Sequence, residues 1–252
     1  MATLSVIIIT YNEADMIRQC LESVAWADEI IVVDSNSTDN TVKICREFTK
    51  KITITKDWPG FGAQKNRALD RATGDWVLSI DADEVVSEKL KASIKATLSK
   101  PTAEAYYLKR QTFFLGKLIR FGDWRGDKVL RLFKRGTAKF SDEIVHERLI
   151  PTGKTQTLHG DLWHYSYQTK HDVATKLARY SDDGAAQAYA RGKKSNPYKA
   201  VLRAGFAFFR DYMVKAGFLD GIAGFRLALY IAHYTYLRHI KLWRLTRQKH
   251  AT

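Results

Sequence analysis

Asp81-Ala82-Asp83 closes an apolar run, Trp76-Val77-Leu78-Ser79-Ile80, and Glu84 adds a third carboxylate. Such a run suits a strand buried on both faces, and open α/β sheets gather their ligands at the carboxyl ends of such strands. Alternation along an extended chain predicts that Asp81 and Asp83 share one side while Ala82 faces away. Two neighbouring carboxylates repel each other unless a cation or a proton relieves them. A hard divalent ion shared with a phosphate is one remedy. For an isolated Asp-x-Asp, a solvated strand end is the plainer reading. Asp34 ends another apolar run, where a carboxylate can accept hydrogen bonds from a base N–H or from ribose hydroxyls. Lys65 and Asn66 open a helix after a glycine loop, a place suited to phosphate or base contacts.

These residues need strands that end together. Leu4–Thr10 reads as the first strand, stopping at Tyr11-Asn12-Glu13, with Asn12 a candidate cap for a helix marked by Ile17, Leu21 and Val24. Glu29–Val33 is a second strand, followed by a polar loop and a helix with Val42, Cys45 and Phe48 inward. Ile52–Thr55 is a short third strand. Lys56 to Gly62 is a loop by its Pro and Gly content. The helix from about Ala63 to Ala72 ends at Thr73-Gly74, where glycine suits a left-handed cap. Ser87 caps a helix with Leu90, Ile94 and Leu98 as its buried stripe. Ala105–Phe114 and Val129–Lys134 read as strands, and the chain is helical from about His171, closing with Ala200–Ala216 and Ile222–Leu245.

The expected class is therefore α/β, a doubly wound, Rossmann-like sheet with a helical C-terminal extension. The predicted division is 1–170, split into halves at 100, followed by a basic amphipathic extension over 171–252. No G-x-G-x-x-G follows the first strand and no G-x-x-x-x-G-K-[ST] occurs, which disfavours dinucleotide oxidoreductases and P-loop NTPases.

The 252 residues are 45% hydrophobic, enough for a substantial core. Cys20 and Cys45 form no C-x-x-C pair and read as small buried hydrophobes of a reducing compartment. Met1-Ala2-Thr3 runs directly into the first strand, so no leader is expected, and Asp220 and Arg226 interrupt the best candidate for a membrane span. From Ala185 onward thirteen Lys and Arg face two Asp, so this region holds eleven of the fourteen net positive charges. Interleaved with aromatics, it points to an anionic surface, with a membrane ahead of nucleic acid.

Four pieces in order carry a resemblance. They are Ser5-Val6-Ile7-Ile8-Ile9-Thr10-Tyr11-Asn12-Glu13, Val33-Asp34-Ser35 with Ser37-Thr38-Asp39, Asn66 through Ala72-Thr73-Gly74-Asp75, and Asp81-Ala82-Asp83. Together they resemble the inverting glycosyltransferases of family 2, with the GT-A fold. Trp58-Pro59-Gly60-Phe61-Gly62, Arg131-Leu132-Phe133, Val145-His146-Glu147-Arg148-Leu149, His164-Tyr165-Ser166 and Gly217-Phe218-Leu219-Asp220-Gly221 look like the lipopolysaccharide inner-core β-1,4-glucosyltransferase group.

The resemblance implies a UDP-sugar site built on Thr10, Tyr11, Glu13, Asp34, Lys65, Asp81, Ala82 and Asp83. Asp83 would ligate Mg²⁺ or Mn²⁺, Asp81 would meet ribose or a metal-bound water, and His164 would complete the metal or diphosphate site. Inversion needs a base opposite the leaving diphosphate. Glu147 is chosen over Asp127, Asp142 and Glu143 because it follows Ile144-Val145 and matches the family's V-H-E motif. A salt bridge to Arg148 or Arg131 is its structural alternative. Trp124 and Asp127 would shape the acceptor pocket. The implied acceptor is a lipopolysaccharide core or another lipid-linked saccharide at the inner face of the cytoplasmic membrane, with a homo-oligomer possible. Transfer to a polyprenyl phosphate is the near alternative. A sugar nucleotidyltransferase would show a glycine-rich basic loop where Thr10-Tyr11-Asn12-Glu13 stands, and a nucleic-acid-binding protein would rest on the basic tail alone.

Overall fold

The computed structural model describes residues 2–141 and 148–248, and in it the chain forms two compact units. One comprises the chain up to residue 111 with 127–164; the other comprises 112–126 with everything from 165 on.

The strands of the first unit form where apolar runs predict them. β1 (Leu4–Thr10), β2 (Glu29–Asp34), β3 (Ile52–Ile54) and β4 (Trp76–Asp81) are parallel in the order β3-β2-β1-β4. Each residue of β1 and β2 is buried, as expected where both faces are covered. Leu4, Val6 and Ile8 of β1 pack with α1 (Ile17–Val24), Cys45 of α2 (Thr41–Cys45) and α4 (Glu88–Ser99). Ile7 and Ile9 pack with Ala68 of α3 (Phe61–Leu69) on the opposite face. The sheet is thus doubly wound, as expected.

Beyond β4 the sheet turns antiparallel. β5 (Glu84–Val86), β6 (Ala105–Phe114), β7 (Lys117–Leu118), β8 (Asp127–Lys134) and β11 (Thr155–Tyr167) complete it, in the order β4-β8-β6-β11-β5 with β7 on β6. β9 (Ala138–Phe140) and β10 (Leu149–Pro151) pair separately. The second unit adds α5 (Lys170–Ala190), α6 (Pro197–Phe209), a π-helical turn over Arg210–Val214, a 3₁₀ turn over Gly217–Asp220, and α7 (Gly221–Gln248). Its core gathers Phe114, Ile119, Tyr167, Leu177, Leu227 and Tyr230.

Local expectations fail at instructive points. Ala200–Ala216 is not one α-helix, because the backbone widens over Arg210–Val214 and ends with Ala216 at φ 57°. Buried Asp211 accepts a hydrogen bond from the Asp123 amide there, at 2.5 Å. Asn12 does not cap α1, whose first turn has no side-chain cap. Instead Asn12, at φ 53°, accepts the Thr38 amide at 2.8 Å and so joins the loops after β1 and β2. Gly74 is not a left-handed cap either. A methyl group there would lie 2.8 Å from both the Ser5 nitrogen and Oγ, so the glycine permits close backbone approach.

That approach belongs to a lock at the amino ends of the central strands. Glu29 is buried and accepts hydrogen bonds from the Thr73 amide (2.9 Å), Thr73 Oγ1 (3.0 Å) and Ser5 Oγ, and it pairs with Lys51. Ser5 Oγ also accepts the Gly74 amide at 2.8 Å. Burial opposes the ionised form, yet Lys51 and these donors hold Glu29 down at about 2.

Candidate active site

The parallel register brings the predicted strand-end residues into one layer. Thr10 lies opposite Asp34 on β2, and Ile9 lies opposite Asp81 on β4. Asp34 is fully buried and accepts hydrogen bonds from the Ser37 amide (2.8 Å) and Ser37 Oγ (2.5 Å). Ser37 Oγ in turn accepts the Asn12 amide at 2.8 Å. The two strand-end loops are therefore braced on one carboxylate. Thr10 Oγ1 is buried without a hydrogen-bond partner among the described residues, whereas the Tyr11 ring is exposed. Glu13 anchors the start of α1 through its carbonyl, which accepts the Met16 and Ile17 amides at 3.0 and 2.8 Å.

The Asp81-Ala82-Asp83 segment is not extended throughout. β4 stops at Asp81, Ala82 and Asp83 form a turn, and the chain re-enters the sheet as β5. Alternation therefore does not place the two aspartates on one side. Ala82 is buried in the α1/α4 core. Asp81 and Asp83 each have their own partners.

Asp81 meets Lys65 Nζ at 2.9 Å and Arg131 Nη2 at 2.5 Å. Lys65 reaches it from α3, the helix packed on the face that carries Val77. Arg131 reaches it from β8, whose antiparallel register pairs Leu78 with Leu132 and so brings residue 131 alongside the end of β4. Burial disfavours the charged carboxylate, but Arg131 and Lys65 outweigh it and hold Asp81 well below the usual range. The repulsion expected between neighbouring acids is relieved by side-chain cations.

Glu84 is completely buried and completes the arrangement. It accepts the Asp81 amide at 2.9 Å, pairs with Arg131 at 2.9 Å and lies 3.6 Å from Arg110 Nη1. Arg110 forks onto Asp127 through Nε (3.1 Å) and Nη2 (2.8 Å). The result is a continuous row of alternating charge, Lys65–Asp81–Arg131–Glu84–Arg110–Asp127. Arg131 and Glu84 were not identified from sequence as parts of this row. The only signal was Glu84 following Asp83 and Arg131 within the Arg131-Leu132-Phe133 motif.

Asp83 faces His164, with Nε2 3.4 Å from Oδ2, because β11 runs antiparallel to β5 and sets His164 opposite Glu84. Burial disfavours a charged imidazole, but the charge and hydrogen bond of Asp83, with Glu84 behind it, hold the His164 pKa above its ordinary value. Among the described residues no group of three or more His, Cys, Asp or Glu forms a protein-only metal cage. Asp83 with His164 does suit an ion that takes most of its ligands from a diphosphate and water, as Mg²⁺ does.

Trp124 lies in the second unit, its ring 4.8 Å from Tyr167 and edge-on to Phe114 and Tyr230. Glu147, Asp142 and Glu143 lie outside the described residues. Cys20 and Cys45 are buried free thiols, as expected. Burial and the charge of Asp34 push Cys45 up to about 12.

The sequence model of glycosyl transferase family 2 matches residues 5–153. An uncharacterized glycosyltransferase, RP128, of Rickettsia prowazekii is 31% identical over 96% of this chain and 87% of its own. LpsC of Rhizobium meliloti, a lipopolysaccharide core biosynthesis glycosyltransferase, is 28% identical over 98% and 93%. Among solved structures, the mannosyltransferase PcManGT of Pyrobaculum calidifontis, in complex with GDP-Man and Mn²⁺, aligns with a TM-score of 0.52 at 19% identity, over 96% of this chain and 87% of that one. The fold is GT-A, and the chain belongs to glycosyl transferase family 2.

Proposed function

We propose that this glycosyltransferase moves a sugar, glucose first among candidates, from a UDP-sugar to a lipopolysaccharide-core or related lipid-linked acceptor with inversion. The observation that carries the acceptor class is the near full-length likeness to LpsC. The donor reading rests on the family motifs and on the strand-end layer of Thr10, Asp34 and Asp81. Buried Asp34 suits a base or ribose, and the unsatisfied Thr10 hydroxyl beside it offers a further hydrogen bond. Lys65 and Arg131 supply fixed positive charge where a diphosphate would leave. Mg²⁺ or Mn²⁺ would be held by Asp83, with His164 as second ligand once it has given up its proton. Such an ion would offset charge on the departing UDP. Glu147 is the proposed base, and Asp127 and Trp124 the proposed acceptor contacts. The enzyme would work at the cytoplasmic face of the inner membrane.

The test is UDP release from UDP-glucose with Mn²⁺ and a core-oligosaccharide acceptor. Asp83→Ala should abolish release while leaving the melting temperature near that of the parent. Full activity in that variant would defeat the metal assignment. A product that yields its sugar to mild acid would instead identify a polyprenyl-phosphate acceptor.

A further inference from the structure

Two features of the second unit meet on α6. The first is an apolar stripe. Tyr198, Leu202, Phe206 and Phe209, followed by Met213 on the π-helical turn, recur every three or four residues and are 51–74% exposed. At 100° per residue they occupy one arc, while buried Ala200 and Ala207 lie on another. Lys199, Arg203 and Arg210 run along one edge of that arc. α7 adds exposed Ile222 and Leu229. The seam between the helices is already filled, with Phe208 and Tyr212 edge-on to Phe225 at 5.8 and 5.7 Å. The outward apolar residues are in surplus over what the hairpin needs for its own packing.

The second feature is a cavity of about 530 Å³ bounded by α5, the α5–α6 connection, α6 and α7. Lys193, Lys194, Lys199, Arg203 and Arg238 line it with His239, over a floor of Ala188 and Leu242, and among the described residues no carboxylate lines it. Burial first, and then the cations Arg238, Lys199 and Arg203, hold the His239 pKa below its ordinary value. His239 Nδ1 is 2.9 Å from Ser195 Oγ.

We propose that this hairpin docks in the plane of an anionic bilayer and seats a lipid headgroup phosphate in the cationic cavity. Lys199 and Arg203 belong to both features, and that continuity identifies the occupant. A soluble anion would fill the cavity and leave the stripe in water. A protein partner would bury the stripe and leave five cations unmatched. An anionic lipid surface satisfies both, because acyl chains receive the stripe and headgroup phosphates meet its basic edge. No helix among the described residues is long and apolar enough to cross a membrane, so the hairpin lies in the interface.

The test is co-sedimentation of the full chain with vesicles of mixed phosphatidylethanolamine and phosphatidylglycerol, against vesicles of phosphatidylcholine. The parent should bind the anionic vesicles and not the neutral ones. Phe206→Ser with Phe209→Ser, through lost apolar burial, and separately Lys199→Glu with Arg203→Glu, through lost attraction to the anionic surface, should each weaken binding at least about tenfold. All four positions are exposed, and unchanged melting temperatures verify folding. The proposal is overturned if either variant binds as the parent does, or if the protein binds inorganic phosphate but not the anionic vesicles. It also fails if vesicles are not bound and the phenylalanine variant instead dissolves a dimer, which would make the stripe a self-association face.

Discussion

Replacing Arg131 by methionine tests the charge row most directly. The guanidinium is almost wholly buried and is shared between Asp81 (2.5 Å) and Glu84 (2.9 Å). Methionine keeps much of the volume but removes the cation. Glu84 is then left with Arg110 at 3.6 Å, and Asp81 with Lys65. Removing one member of a buried ion pair costs about 3–5 kcal/mol, because an uncompensated charge stays behind. At roughly 2–4 °C per kcal/mol for a chain of this size, the melting temperature should fall by about 6–20 °C at neutral pH. The pH dependence has a definite sign. In the parent, Asp81 is held below its unfolded value and stabilises the fold at all pH values above the acid range. In the variant a buried carboxylate is raised above its unfolded value, so the deficit is full at neutral pH and shrinks as acid protonates it, by up to about 1.4 kcal/mol per pH unit. Adding Glu84→Gln should restore most of the loss by removing the stranded charge. Thermal melts of parent, single and double variants at pH 7 and pH 5 measure all three quantities. A single-variant loss below about 1 kcal/mol, or no recovery with Glu84→Gln, would refute the account.

Other perturbations probe the remaining parts. Glu29→Gln should flatten acid unfolding: the parent loses about 3 kcal/mol as pH falls from the ordinary glutamate value of 4.5 toward 2, and the variant lacks that slope in chemical denaturation. Gly74→Ala should cost about 1–3 kcal/mol through its clash with Ser5, whereas Gly136→Ala, with open space but φ 85°, should cost only about 1 kcal/mol, as compared by melting temperatures. Ser37→Ala removes both the 2.5 Å bond to Asp34 and the acceptor for the Asn12 amide. It should raise the KM for the donor more than it lowers kcat, measured by UDP release. Lys65→Met should lower kcat/KM for the donor by at least about tenfold, since a charge-assisted contact to an anion is worth about 1.5–3 kcal/mol.

The parallel half was legible because each strand buries both faces. Val6-Ile7-Ile8-Ile9 and Ile30-Ile31-Val32-Val33 have no polar interruption to obscure them. The site at their ends followed from that, since Asp34 and Asp81 simply terminate the runs. β5 was hidden because Glu84-Val85-Val86 is too short to announce itself and is a strand only by pairing with β11. The roles of Arg131 and Glu84 were hidden for a related reason. They depend on the β4–β8 register, which joins residues about fifty positions apart and leaves no local periodicity. The break in the penultimate helix falls at buried Asp211, whose partner Asp123 lies 88 positions earlier and leaves no local signal either.

The lock around Glu29 lies at the strand starts, while Thr10, Asp34 and Asp81 stand at the strand finishes, a whole strand length away. If Thr10, Asp34 and Asp81 form the proposed donor site, chain alignment and donor selection are separate mutational compartments. A directed-evolution library drawn from residues 35–38 and Thr10 can vary the ligand end while Ser5, Glu29, Thr73 and Gly74 keep the strands in register. Stabilising substitutions belong at the opposite pole, a strand length from the proposed donor residues.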